Sequence, residues 1–232
     1  MTSIKLVIFD LDGTLLDTIE DLGDSVNEVL DKRGYPTHSY KDYCHFIGDG
    51  MEKLIQRSIP DKYLRDEFLV NEVLEDYRKA YTKNWNKKSR PYDGIMKCLA
   101  DLKSLNISSA VLSNKPHHFT ELCVESLIGN DHFAAVSGQR DEVEKKPSPD
   151  GAIEICNKME VDPSEVVFVG DTNVDILTGV AAGMTTIGVL WGFREEEELR
   201  EAGAHYIVSN PDEILEIIAK QYKSISILDA SG

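Results

Sequence analysis

The chain has 232 residues, enough for one large domain or for a core with a smaller companion domain. Hydrophobic residues make up 41% of it and charged residues 28%, which is typical of a globular protein. The 41 acidic residues outnumber the 25 lysines and arginines, and the net charge of −16 argues against general binding to nucleic acid or to anionic membranes. An anionic substrate would need a local patch of positive charge.

A cytoplasmic location is the default expectation, because the sequence shows no targeting signal. The N-terminus has no charged segment followed by a long apolar run, and no stretch approaches the length of a membrane span. The four cysteines lie far apart and form no CxxC pair, which favours buried free thiols over a disulfide framework or a zinc site.

One predicted strand precedes a long helical stretch, and after that stretch strands alternate with helices. The first strand is predicted at residues 4–9 and a helix at 17–33, with further helical patterns at 49–58 and 63–85. No strand candidate lies between residues 14 and 90, and Tyr77 and Tyr81 are expected in the core of this helical part. Later strands are predicted at 107–113, 133–137, 166–170, 185–190 and 206–208, and later helices at 94–104, 116–127, 149–158, 174–182, 195–202 and 212–222.

Strands separated by helices of this length imply right-handed crossovers and a parallel sheet. The predicted fold is therefore a doubly wound α/β core formed by residues 1–16 and 87–232, with an all-α insertion at 17–86.

Two carboxylates, Asp10 and Asp12, emerge where the first strand ends, and Gly13 follows them. Ligands of open α/β sheets bind beyond the carboxyl ends of the strands, so these two acids lie at the usual position of an active site. Taken alone, the pair could equally be a solvated turn after a strand.

Two later segments carry groups that suit an anion. Ser113 and Asn114 end a strand just before a helix, where free backbone N–H groups favour negative charge, although simple helix capping explains them too. Lys145 and Lys146 form a basic pair followed by proline in an acidic chain, although surface lysines usually serve only solubility.

A further pair of acids follows the strand at 166–170. Asp171 comes directly after it and Asp175 lies one helical turn further on. Capping could explain either acid singly, but not four acids around two strands, since adjacent like charges repel unless a cation lies among them. A hard divalent ion with oxygen ligands, Mg²⁺ above all, resolves the conflict.

Together these segments resemble the four ordered motifs of the haloacid dehalogenase superfamily, and the resemblance covers nearly the whole chain. The matching segments are Asp10-Leu11-Asp12-Gly13-Thr14, Ser113-Asn114-Lys115, Lys146-Pro147 and Gly170-Asp171-Thr172-Asn173-Val174-Asp175. The helical insertion, with its Phe46-Ile47-Gly48-Asp49-Gly50 segment, resembles the cap of that superfamily's phosphoglycolate phosphatase group.

The resemblance implies a role for each motif residue. Asp10 would be the nucleophile and a Mg²⁺ ligand, and Asp12 would act as acid and then as base while its backbone carbonyl binds the metal. Asp171 would complete the metal shell, and Asp175 would bind through water or orient a neighbour.

Donors to the phosphoryl oxygens would be Ser113, the amide of Asn114, and Lys146, which is preferred to Lys145 because it immediately precedes proline. The turn at Gly48, Asp49 and Gly50 would place its backbone amides in contact with the substrate.

The implied activity is Mg²⁺-dependent hydrolysis of a small phosphorylated metabolite, with 2-phosphoglycolate as the first candidate. Pyrophosphate hydrolysis, sugar-phosphate hydrolysis and phosphate transfer within a sugar stay open on the same scaffold. An alternative of another class is a non-catalytic phosphorylation switch, but Asp12 speaks against it because a base promotes hydrolysis of a phosphoaspartate.

Overall fold

A computed structural model of the chain describes residues 3–219. The strands of this part are β1 Leu6–Phe9, β2 Leu16–Asp17, β3 Arg90–Pro91, β4 Ser108–Pro116, β5 Ala135–Gln139, β6 Val166–Gly170, β7 Thr185–Val189 and β8 Tyr206–Val208. Six of them form one parallel sheet in the order β5-β4-β1-β6-β7-β8, and β2 pairs antiparallel with β3.

Helices cover both faces of this sheet and form the insertion. They are α1 Ile19–Lys32, α2 Tyr40–Phe46, α3 Met51–Ser58, α4 Glu67–Asn84, α5 Ile95–Ser104, α6 His117–Leu127, α7 Asp150–Met159, α8 Asn173–Ala181, α9 Glu196–Glu201 and α10, described over 212–219. Short 3₁₀ helices lie at Asp61–Tyr63, Asn130–His132 and Pro163–Glu165.

Strand β1 is buried on both faces, as its uninterrupted apolar run predicts. Its side chains alternate between two hydrophobic clusters: Val7 and Phe9 belong to one, and Leu6 and Ile8 to the other. Because β1 lies between β4 and β6, the carboxyl ends of these three strands meet at one edge.

The helices α1 to α4 form an all-α cap inserted between β2 and β3. The paired strands β2 and β3 carry the chain out of the core and back, with Asp17 opposite Arg90. The carboxylate of Asp21 fixes the return by accepting hydrogen bonds from the backbone N–H groups of Lys88 and Ser89, at 2.9 and 2.8 Å. The domain limits at residues 16/17 and 86/87 stay a prediction.

Several predicted boundaries are wrong in the cap. The short strand β2 lies where no strand was expected, and helix α2, which was not predicted, begins with Ser39 and Asp42 capping each other. The helix predicted from residue 49 begins at Met51, because Gly50 adopts a φ of 89°. The helix predicted from residue 63 begins at Glu67, since the Asp66 carboxylate accepts the N–H of Leu69.

In the core, the strand predicted at 107–113 extends to Pro116, with an irregular register after Leu112. The last predicted helix, at 212–222, is described to residue 219, and its end lies outside the described residues.

The described residues contain no helix that is both long and apolar enough to cross a bilayer. All four cysteines lie within this part of the chain and are free thiols.

Candidate active site

Residues from three neighbouring strand ends form a cluster at the carboxyl edge of the sheet. Asp10 follows β1, and its backbone N–H continues the ladder to β6 by donating to the carbonyl of Val169 at 2.9 Å. Asp171 follows β6, and Asp175 lies in the first turn of α8. Carboxylate oxygens of Asp10, Asp171 and Asp175 lie within 4.8 Å of one another, and all three residues are buried.

Lys146 places a buried ammonium against this cluster. Its Nζ donates to Oδ1 of Asp10 and Oδ1 of Asp175, at 2.6 Å each, and to the carbonyl of Leu112 at 3.0 Å. Lys145 faces the cap instead and donates to the backbone carbonyl of Asp49 at 3.1 Å. Of the two lysines, Lys146 is therefore the one that contacts the acids.

Neutral donors hold both carboxylate oxygens of Asp171 and the second oxygen of Asp175. Asp171 accepts the hydroxyl of Thr14 at 2.8 Å and the backbone N–H of Phe193 at 2.9 Å. Asp175 accepts the backbone N–H and the hydroxyl of Thr172, at 3.0 and 2.8 Å. Each carboxylate is thus fixed in one orientation.

Burial, and the repulsion among three carboxylates around one ammonium group, shift the pKa values of the site. Burial raises the pKa of Asp10 to about 7; Lys146 opposes this rise and Asp175 adds to it. Burial also raises the pKa of Asp171 well above its usual range, with further contributions from Asp175 and Asp10. For Lys146, burial lowers the pKa, but Asp10 and Asp175 outweigh it and the net shift is upward.

This donor set fits a hard divalent cation. The oxygens of Asp10, Asp171 and Asp175 converge, and Asp171 has only neutral donors as partners among the described residues. Hard cations bind carboxylate oxygens, and a second positive charge among these groups would favour their ionised forms.

Asp12 is bound separately, at the side of the cluster. Both of its carboxylate oxygens accept hydrogen bonds from Nζ of Lys115 at 2.8 Å, and Oδ1 also accepts the hydroxyl of Thr18 at 2.8 Å. The ammonium of Lys115 is buried and lies 4.9 Å from the ring centre of Tyr81.

The motif that contains Lys115 was recognised in the sequence, but this side chain was given no role. A lysine at the end of an otherwise buried strand was the available signal, because an ammonium in such a place needs a carboxylate partner.

Asn114 connects the site to the cap. Its Nδ2 donates to the carbonyls of Lys146 and Gly48, at 3.0 Å each, and its Oδ1 accepts the N–H of Lys146 at 2.9 Å. The side chain of Ser113 is buried beside it, and its hydroxyl accepts the backbone N–H of Lys115 at 3.3 Å.

A cleft of about 490 Å³, open to solvent, lies between the cap and these groups. From the core, its wall includes Asp10, Asp12, Ser113, Asn114, Lys115, Lys146, Thr172 and Asp175. From the cap, its wall consists of Leu22, Ile47, Gly48, Gly50, Met51, Leu54 and Tyr77.

The glycine-rich turn reaches the cleft only in part. Gly48 and Gly50 line it, and a Cβ on Gly50 would lie 3.3 Å from the backbone oxygen of Asn114. Asp49 is not on the wall, because its carboxylate pairs with Arg57 at 2.6 Å and turns away. The five larger cap residues on the wall were not predicted. Helical periodicity marks Leu22, Met51, Leu54 and Tyr77 only as buried, and Ile47 lies between helices.

A family model matches this arrangement of motifs. The model of haloacid dehalogenase-like hydrolases covers residues 7–189, which is most of the chain. The chain belongs to the haloacid dehalogenase-like hydrolase family. The predicted family and the predicted fold class are both confirmed.

Relatives of this haloacid dehalogenase-like hydrolase match nearly its whole length. It is 32% identical to a phosphoglycolate phosphatase of Haemophilus influenzae, over 94% of this chain and 99% of that protein. It is 31% identical to a phosphoglycolate phosphatase of Neisseria meningitidis, over 96% of this chain and 94% of that protein.

Solved structures of the family share the fold. A crystal structure of a proposed phosphoglycolate phosphatase from Lactobacillus delbrueckii superimposes with a TM-score of 0.87 at 29% identity, covering 94% of this chain and 99% of that one. A proposed phosphatase from Clostridium acetobutylicum gives a TM-score of 0.84 at 26% identity, covering 94% of this chain and 100% of that one.

Proposed function

We propose that this hydrolase is a Mg²⁺-dependent phosphatase of small phosphomonoesters that works through an aspartyl phosphate, with 2-phosphoglycolate as its first candidate substrate. The observation that carries the proposal is the buried cluster of Asp10, Asp171 and Asp175 with Lys146. Asp10, Asp175 and Lys146 of this cluster line one cleft together with Ser113. The full-length relatives described as phosphoglycolate phosphatases support the choice of substrate.

Asp10, Asp171 and Asp175 would hold the metal ion, together with the backbone carbonyl of Asp12. When bound, Mg²⁺ supplies positive charge that offsets the carboxylates and the phosphoryl oxygens. The chain's own residues supply the nucleophile, the proton and the remaining donors.

In the first step, a carboxylate oxygen of Asp10 attacks the phosphorus. The bond between phosphorus and the ester oxygen breaks, and its electron pair leaves with that oxygen, to which Asp12 gives a proton. The products are the free alcohol and an acyl phosphate on Asp10.

In the second step, a water oxygen attacks the same phosphorus while Asp12 takes a proton from that water. The bond between phosphorus and the carboxylate oxygen breaks, which releases inorganic phosphate and restores Asp10 as a carboxylate. Asp12 ends the cycle protonated, as it began.

Fixed donors stabilise the charge that spreads over the phosphoryl oxygens in both steps. Lys146 and Ser113 line the cleft and would contact these oxygens, with the backbone N–H of Asn114 as a third donor. Lys146 contacts Oδ1 of Asp10, so its ammonium lies beside the carboxylate that would attack.

The test is phosphate release from 2-phosphoglycolate with and without Mg²⁺, for the unaltered protein and for Asp10→Asn. Asp10→Asn removes the nucleophile and is expected to lower kcat by at least about 10³-fold. The exposed Asp93 gives a matched control, since Asp93→Asn changes an equal charge outside the cleft.

Full activity of Asp10→Asn, or full activity after removal of divalent ions by chelation, would overturn this mechanism. A screen of phosphorylated metabolites and pyrophosphate, compared by kcat/KM, tests the substrate. A markedly higher value for pyrophosphate or a sugar phosphate would replace 2-phosphoglycolate.

A further inference from the structure

Tyr77 is the unusual residue among those that line the cleft. Tyr77 lies on α4, its side chain is fully buried, and it forms part of the cap wall. Within residues 3–219 its hydroxyl has no hydrogen-bond partner. A buried hydroxyl without a partner costs free energy, so such a group on a cleft wall suggests a partner that arrives with the ligand.

The rest of the cap wall is apolar. The other cap side chains that line the cleft, within the part of the chain that the structure describes, are Leu22, Ile47, Met51 and Leu54. Tyr77 therefore carries the polar side-chain group that the cap offers to a substrate. Ligand sites of this kind use few polar groups on an apolar wall to fix the orientation of the ligand.

The position of Tyr77 is fixed by packing. Its ring stacks on that of Tyr81, with 5.7 Å between ring centres and 23° between ring planes. Burial raises the pKa of Tyr77 well above its usual range, with Tyr81 adding to the rise and Lys115 opposing it. The phenol thus stays protonated and can donate a hydrogen bond.

The ring of Tyr77 stacks on that of Tyr81, whose centre lies 4.9 Å from the ammonium of Lys115, and this ammonium binds Asp12 at 2.8 Å. Tyr77 therefore lies on the side of the cleft where Asp12 lies. In the proposed mechanism Asp12 protonates the departing oxygen, so the alcohol part of the substrate would occupy this side. The phosphoryl group would lie at Asp10 and Lys146 instead.

We infer that Tyr77 donates a hydrogen bond to an oxygen on the alcohol part of the substrate, and so selects phosphomonoesters whose alcohol carries a carboxylate or a hydroxyl group. This inference rests on the proposed phosphatase function. Tyr77 is then a specificity-determining residue, because an ester without such an oxygen leaves the buried hydroxyl unpaired.

The test compares 2-phosphoglycolate with ethyl phosphate, in which a methyl group replaces the carboxylate. Tyr77→Phe removes only the hydroxyl and is expected to lower kcat/KM for 2-phosphoglycolate about tenfold to a hundredfold, chiefly through KM. The same variant is expected to change kcat/KM for ethyl phosphate by less than about twofold. Glycerol 3-phosphate and propyl phosphate form a second pair, for a hydroxyl acceptor.

Tyr81→Phe is the matched control. Tyr81 lies one turn further along α4, and its hydroxyl is also buried without a partner among the described residues, but the residue does not line the cleft. Removal of the Tyr81 hydroxyl is expected to leave unchanged the ratio of the kcat/KM values for the two esters of each pair. Inhibition by inorganic phosphate, which has no alcohol part, is expected to be equal in Tyr77→Phe and the unaltered protein.

One readout needs no variant: the unaltered protein is expected to prefer the oxygen-bearing ester of at least one pair by about tenfold or more in kcat/KM. Equal losses for both esters of each pair in Tyr77→Phe, or no loss for any, would overturn the inference while leaving the proposed function intact. An unaltered protein that hydrolyses no phosphomonoester would overturn the proposed function and this inference with it.

Discussion

At the scale of single residues, close packing around the carboxylates decides which side chains the site tolerates. Gly13 has a φ of 91°, and a Cβ built on it would lie 2.3 Å from Oδ2 of Asp171. Gly192 approaches the same carboxylate from another side, where a Cβ would lie 2.2 Å from Cβ of Asp171. Because neither glycine has a Cβ, there is room between them for the buried side chain of Asp171.

Gly13→Ala is expected to destabilise the protein by about 2 to 4 kcal/mol, since backbone strain adds to a clash that the buried carboxylate can relieve only by moving. The matched control is Gly34→Ala: this glycine has a φ of 68°, but nothing lies within 4 Å of the added Cβ. Strain alone costs about 1 to 2 kcal/mol there. Urea unfolding measures both changes, and equal losses at the two positions would contradict the account.

At the scale of elements, the loop between α2 and α3 attaches the cap to the core through its backbone carbonyls. Nη2 of Arg194 donates to the loop carbonyl of Ile47 at 2.9 Å, and to the carbonyl of His45 in the last turn of α2 at 3.4 Å. Asn114 and Lys145 donate to the next two carbonyls of the same loop. Carbonyls outside a helix need such partners, and the core side chains provide them.

Arg194→Ala is expected to lower kcat/KM for the preferred ester about tenfold, because it frees the loop that carries Ile47 and Gly48 on the cleft wall. Arg200→Ala is the control, since Arg200 pairs with Glu196 within α9 and does not contact the cap loop. Steady-state kinetics measure both variants. An equal effect of the two substitutions would show that the contact with the loop has no special role.

At the scale of the whole molecule, the balance of charge around the cleft explains how an acidic protein could accept an anion. Its lysines, Lys115 and Lys146, are each already paired with carboxylates. When Asp10, Asp171 and Asp175 are ionised and Asp12 carries the proton that it donates in the proposed mechanism, the carboxylates outnumber these two ammonium groups by one charge. A divalent cation would offset this excess before a phosphate enters.

Mg²⁺ is therefore expected to raise the midpoint of thermal unfolding. Its binding to the folded protein adds about 1.4 kcal/mol to the free energy of unfolding for each tenfold excess of Mg²⁺ over its Kd. Asp171→Asn removes one proposed ligand without removing the nucleophile and is expected to abolish most of this shift. Scanning calorimetry at constant ionic strength, with NaCl as the reference salt, measures the effect. A shift of the same size with NaCl, or in Asp171→Asn, would contradict a metal site at this cluster.

The architecture of the core, and the edge of the sheet at which its polar motifs meet, could be predicted from the order of the residues. The apolar run before Asp10 and the run before Asp171 could be read as buried strands, and parallel strands present their carboxyl ends at one edge of the sheet. Cap boundaries were less predictable, because short elements such as β2 and α2 depend on local capping and on pairing with β3.

Which side chains contact one another at that edge depends on how the elements pack in three dimensions. This packing pairs Lys115 with Asp12, turns Asp49 toward Arg57 and away from the cleft, and places Tyr77 on the cleft wall. A helical pattern shows that Tyr77 is buried but not what it faces, since that depends on how the cap packs over the core. Contacts between residues as distant in sequence as Asp12 and Lys115 arise from packing, and no local pattern encodes them.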